Sequence, residues 1–333
     1  MAAAGVALIN IEPASIVLKP AALTKPAQIT ETAEPATIVS QPLPQPLPVS
    51  TPPAPAIAPA IIPAIPITPT APITRPINLQ TAVVLRCDFV NNQGRKKQAF
   101  GSGVIISPQG VILTARHVFD LDYAYQITGG NQGAAGYDFQ GCDVGQPPAG
   151  TTTPTISQIR AINPFTIVDI LPYRAEKFFV ASGAGWSEAE FNFIDIGLLK
   201  ISGVNSDGPA FGYTSLPASF QFSPMVTDEV PADGEEIVTF GFPSGNPQYG
   251  GRFFLQGSVG QTTAVIVGDK QFAGGAIGIQ AQMETIGGRS GSPVFWRGSV
   301  MGIVSSKEDF SLSSTSISVA PLLRVLREAG VSF

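Results

Sequence analysis

The chain of 333 residues carries 19 basic and 24 acidic residues, one histidine and two cysteines, for a net charge of −5. That balance excludes nucleic acid as an expected partner, because the one basic run, Arg95, Lys96 and Lys97, sits in a turn-like stretch. Two cysteines and one histidine also fall short of the usual ligand set of a structural zinc site, so no metal is expected.

Residues 1–77 hold 17 of the 31 prolines, one glycine and no aromatic residue. Such a stretch has too little apolar bulk to offset roughly 1–2 kcal/mol of backbone entropy per ordered residue. It is predicted to be a disordered Pro/Ala-rich tail or spacer. Its opening run, Ala2 to Ile9, is apolar but lacks a basic flank and is cut short by Asn10, Glu12 and Pro13. It is too short to cross a membrane, and it fits either the stump of a signal or anchor or a disordered terminus. Between Pro42 and Pro76 prolines recur every one to four residues, which favours polyproline II. At about 3.1 Å per residue the stretch from Pro26 reaches on the order of 150 Å, which suits a spacer; its PxxP spacings also fit a ligand for proline-binding domains.

From Leu79 glycines, aromatics and β-branched residues appear together, and one folded domain is expected over 78–333. Strand-like runs follow at AVVLRCDFV (82–90), QAFGSGVIIS (98–107), GVILTA (110–115), TISQIRAI (155–162), KFFVAS (177–182) and DIGLLKI (195–201). A second group comprises EEIVTFGF (235–242), RFFLQGSV (252–259), TTAVIVG (262–268), AIGIQAQM (276–283), SPVFW (292–296) and SVMGIVSS (299–306). Short runs bounded by turn residues at this density predict an all-β, antiparallel sandwich or barrel architecture. The strand-poor stretch from Gly203 to about Val230 is expected to join the halves, about 80–203 and 204–320. A helix is predicted over about 321–330, begun by Pro321, striped by Leu322, Leu323, Val325 and Leu326, and stopped by Gly330. Cys87 and Cys142 fit either one disulfide or two partly buried thiols.

Three places carry chemistry. His117, the only histidine, follows the apolar strand-like run in GVILTARHVF; a lone histidine fits a structural role or, set at a strand end, a general base. Asp195 opens a buried-looking strand in NFIDIGLLKI; a buried carboxylate needs a partner, and a histidine N–H is one. Ser290 lies in TIGGRSGSPVF, where the glycines fit either a plain tight turn or the unusual backbone that exposes a nucleophilic hydroxyl and turns N–H groups toward an oxyanion. The N–H groups of Gly288 and Ser290 would form that hole. An α/β-hydrolase elbow fits less well, because Ser292 stands where its last glycine belongs and a strand follows.

In that order, TARHVF, DIGLLKI and GGRSGSPVF resemble the three signature blocks of trypsin-like serine peptidases, especially the bacterial HtrA-like and glutamyl-endopeptidase branches. The likeness covers about residues 82–330 and extends to TFGFPSG (239–245) and GIVSS (302–306), with no PDZ-like segment after the helix. The resemblance implies two six-stranded antiparallel barrels of the chymotrypsin type with a C-terminal helix. It also implies a serine endopeptidase with a His117, Asp195, Ser290 triad, needing no metal or organic cofactor. Peptide or protein substrate would pair along Ile303, Val304, Ser305 and Ser306. An inactive binding or structural protein on the same fold, or an esterase with the same triad, are the alternatives. Glu284 falls where the family places the floor of the specificity pocket, and an acid there would select Lys or Arg; an exposed loop carboxylate is the other reading. Arg289 replaces the aspartate that trypsin-type zymogens pair with a new N-terminus, and it is expected to face solvent. Location in a secreted, periplasmic or envelope-tethered setting is the expectation.

Overall fold

The computed structural model describes residues 75–127, 136–160, 166–180, 195–226, 231–232, 234–243, 252–267, 276–283, 288–307, 313–317 and 319–332. Antiparallel strands build two cylinders, in each of which hairpins between consecutive strands are joined by pairings between strands distant in the chain. β1 (Ala82–Asn91) turns into β2 (Lys96–Ile105) through a tip where Asn91 Oδ1 accepts the N–H groups of Gln93 at 3.0 Å and Arg95 at 2.8 Å. The basic run therefore sits on a hairpin tip and the strand leaving it. β3 (Val111–Ala115), β4 (Tyr137–Gly145), β6 (Tyr173–Val180) and β7 (Ile196–Val204) complete a closed barrel in the order β1-β2-β3-β7-β6-β4. Leu85, Val104, Ile112, Val144 and Leu198 are fully buried in its core. β1 and β4 pair with Cys87 opposite Cys142, and these two form a disulfide.

The second cylinder joins β8 (Glu236–Gly241), β9 (Phe253–Val267), β10 (Ala276–Gln282), β13 (Ser313–Ile317), β12 (Ser299–Lys307) and β11 (Pro293–Trp296), with β11 pairing back to β8. A short strand from the first half, β5 (Thr166–Val168), adds to the outer edge of β9. One continuous apolar cluster runs from Leu85 and Leu198 to Phe240, Leu255 and Ile303, so the barrels share a core. The helices α1 (Leu121–Ile127) and α2 (Ile156–Arg160) are short. The C-terminal helix α3 (Val319–Glu328) buries Leu322, Val325 and Leu326, three and four apart on one face. Gly330, at φ +68°, ends it.

Several expectations are revised. TISQIRAI is not a strand: Ile156–Arg160 is α2, and 161–165 lie outside the described residues. Its isoleucines recur at a helical spacing, and Ile159 is the buried one. The runs at 252–259 and 262–268 are one strand, β9. The C-terminal helix starts at Val319, so Pro321 lies within its first turn, where a missing N–H costs nothing. The proline-rich segment up to 74 and Glu284 lie outside the described residues. Among the described residues no helix is long and apolar enough to cross a membrane.

Candidate active site

The strand register brings the first two candidates together. β3 pairs with β7, Ala115 opposite Ile196, so the residue before β7 meets the residues after β3. His117 occupies a single 3-10 turn, Arg116–Val118, whose Arg116 N–H donates to the Asp195 carbonyl at 3.2 Å. The Asp195 carboxylate, 2 % exposed, takes the His117 backbone N–H on Oδ1 at 2.9 Å and lies 2.5 Å from the ring Nδ1 through Oδ2. An ionised carboxylate only accepts, so Nδ1 carries the proton and Nε2 keeps a free lone pair. Gly197 is required here by space: a Cβ on it would lie 2.2 Å from the Phe119 ring.

A third donor reaches the carboxylate. Between Val304 and Ser306 the register of β12 against β13 slips by a residue, and the extra one is Ser305. Such a bulge re-aims its side chain, and Ser305 Oγ donates to Asp195 Oδ2 at 2.8 Å. Burial alone presses the His117 pKa down; the Asp195 charge and hydrogen bond together push it up by more, and the net direction is upward from the ordinary 6.5.

Ser290 stands on a turn with Gly288 at φ +87° and Gly291 at φ +82°. The turn abuts the strand leading to His117: a Cβ on Gly291 would lie 2.3 Å from Thr114 Oγ1 and 2.8 Å from the Ala115 nitrogen. Ser102 on β2 donates its N–H to the Ser290 carbonyl at 2.8 Å, and Gly291 donates to the Val304 carbonyl at 2.7 Å. The serine turn is thereby tied to both barrels. Among the described residues no hydrogen bond uses the N–H of Gly288 or of Ser290.

The substrate strand needs a correction. Ile303 and Val304 are buried, Ile303 lies between Pro293 and Ile317, and the Val304 N–H and carbonyl are committed to Ser292 and Gly291. Neither has backbone groups left for a ligand. Past Val304, the edge of β12 facing away from β13 has no partner strand among the described residues, which leaves Ser305 to Lys307. Arg289 is also corrected: it is 1 % exposed, not solvated, because its guanidinium turns inward to Ser258 Oγ on β9 and the Thr239 carbonyl on β8. Ser102, which sequence reasoning passed over as part of a strand, is fully buried and donates from Oγ to the Gly288 carbonyl at 3.0 Å. Its signal lay in the small residues of QAFGSGV, which let two backbones approach.

A pair of closed antiparallel barrels, with a carboxylate-held imidazole on one and a glycine-bounded serine turn on the other, is the architecture of chymotrypsin-fold proteins. The sequence model of the trypsin-like peptidase domain matches residues 101–303, and the chain belongs to that family. Among solved structures the chain is similar to the Rv3671c protease of M. tuberculosis in its active form, at 15% identity and a TM-score of 0.44, over 77% of this chain and 83% of that one. No curated protein sequence matches the chain.

Proposed function

We propose that the domain is a serine endopeptidase in which Ser290 is the nucleophile, His117 the general base and acid, and Asp195 the group that orients and charges the imidazole. The observation that carries this reading is the two-point hold of Asp195 on His117, through the backbone N–H and Nδ1, beside the Ser290 turn. Ser290 Oγ attacks the scissile carbonyl carbon as its proton passes to His117 Nε2. The N–H groups of Gly288 and Ser290 receive the oxyanion, and the imidazolium returns the proton to the departing amine. Water repeats the sequence on the acyl-enzyme and releases the acid. The substrate main chain lies along the open edge of β12 from Ser305, as an added antiparallel strand. Export to an oxidising compartment goes with this reading, and the buried Cys87–Cys142 disulfide supports it.

A fluorophosphonate probe with peptide mapping tests the assignment. Labelling is expected at Ser290 of the wild type and is lost in His117→Ala, which keeps its near-UV circular dichroism. Unlabelled Ser290 in folded wild-type protein would favour an inactive binding protein and remove the proposal.

A further inference from the structure

The serine turn is braced from behind by side chains that the reaction itself does not use. Ser102 Oγ accepts the Phe242 N–H at 2.8 Å and donates to the Gly288 carbonyl at 3.0 Å, so one buried hydroxyl links β2, the end of β8 and the turn. Arg289, the residue between the two oxyanion donors, anchors its guanidinium at 2.5 Å on Ser258 Oγ and at 3.2 Å on the Thr239 carbonyl. The Arg289 carbonyl accepts the Ser292 N–H at 2.9 Å. Because a trans peptide directs its C=O and N–H to opposite sides, that last bond aims the Ser290 N–H away from the protein interior. Pulling the Gly288 carbonyl back onto Ser102 fixes the turn of the residue whose own N–H is the other donor.

We infer that Ser102 and Arg289 form an internal clamp on the oxyanion turn, making both of them positioning residues for the proposed hydrolysis, on which this inference rests. Each ties the turn to a different barrel: Ser102 to β2 of the first, Arg289 to β8 and β9 of the second. Arg289 is among the largest fully buried side chains. Such a buried guanidinium is costly in the absence of compensating contacts, and its anchorage on β8 and β9 holds in place the peptide units flanking Ser290. The clamp acts on geometry, not on substrate affinity. A misplacement of about 1 Å in a catalytic constellation costs on the order of 10²-fold in rate, and loss of one oxyanion donor costs about 10²–10³-fold. In the proposed complex the ground state is held by the main chain of the β12 edge and the oxyanion exists only in the transition state, so the clamp is expected to act far more on the second than on the first.

The test compares wild type with Ser102→Ala and Arg289→Lys, using a fluorogenic peptide substrate, a peptidyl trifluoromethyl ketone that forms a tetrahedral oxyanion on Ser290, and the same peptide ending in a carboxamide. Expected for each variant is a kcat lowered on the order of 10²-fold, with KM and carboxamide affinity within about threefold and ketone affinity lowered by the factor seen in kcat. Retained kcat in both variants would overturn the clamp while leaving the triad standing. A parallel loss of ketone and carboxamide binding would also overturn it, since that is the mark of a general packing role. Loss of folded protein in both variants, by near-UV circular dichroism, would make these contacts a requirement of folding and not of catalysis, again against the inference. A wild type that neither turns over nor takes the ketone would remove the endopeptidase reading, and the clamp with it.

Discussion

Replacing Asp195 by asparagine changes one atom, and the hydrogen bonds around it determine the effect. Among the described residues the carboxylate accepts three of them, from the His117 backbone N–H, from His117 Nδ1 and from Ser305 Oγ. Asparagine has a single acceptor oxygen. Turning its NH₂ toward the backbone N–H sets two donors against each other, at about 1–3 kcal/mol, so the oxygen stays there and the NH₂ faces Nδ1. The ring must then accept at Nδ1 and carry its proton on Nε2, the nitrogen that should receive the Ser290 proton. The expected loss in kcat is about 10⁴-fold, equivalent to about 5 kcal/mol of barrier. The pH profile changes in a defined direction as well. In the wild type the Asp195 charge holds the His117 pKa above 6.5, so the acid limb of kcat/KM lies above that value. In Asp195→Asn burial acts without that charge, and the limb moves below it. Stability obeys the same linkage. With the folded pKa raised, the ion pair contributes fully below the unfolded value near 6.5 and its contribution fades as pH rises through the folded value. In the variant, whose folded pKa lies below the unfolded value, the dependence reverses, and stability rises as pH rises from the folded pKa through the unfolded one. Initial rates on a fluorogenic peptide across pH 5–9, with thermal melts at both ends of about that range, measure all three effects. An acid limb left in place, or a rate within about tenfold of wild type, would refute the assigned role of Asp195.

Two further outcomes are expected. Cys87 and Cys142 close a loop with a separation of 55 residues, so the double serine variant should lose about 4 kcal/mol of stability and about 10 °C in Tm by calorimetry; an unchanged Tm would show that the unfolded chain is already restricted there. Gly291→Ala combines φ +82° with a Cβ 2.2 Å from the Ser102 carbonyl oxygen, and a shift of the denaturation midpoint worth about 2–6 kcal/mol, with loss of fluorophosphonate labelling, is expected. Wild-type labelling and stability would mean that the turn relaxes without cost.

The parts legible in the sequence are those where one local signal suffices. The glycines around Ser290 encode a turn, the apolar run before His117 encodes a strand, and a lone acid at the head of a buried strand demands a partner. The parts that were not legible depend on pairing across the chain. β13, SSTSI, has almost no apolar content and is a strand because β10 and β12 flank it. β4 contains Gly141 and two aspartates, yet pairs with β1 along most of its length. Ser305 was legible as part of a strand but not as an Asp195 ligand, since a bulge is a property of two strands in register. Arg289 reads as a surface residue by composition; the Thr239 carbonyl and Ser258 hydroxyl that receive it lie on strands well upstream in the chain.

β5 limits how the domain could be divided. Thr166–Val168 belongs by sequence to the first barrel's half, yet its hydrogen bonds are made to Phe253–Leu255 of the second. Cutting the chain in the connection after β7 would strip β9 of this cover and bare a strand edge of the kind that pairs with foreign chains. Each half would also expose apolar surface that the other now covers, since the core is continuous across both. The two barrels, which look like a duplicated module, are therefore not interchangeable parts: the seam between them is stitched by a strand, and neither fragment is a self-sufficient building block.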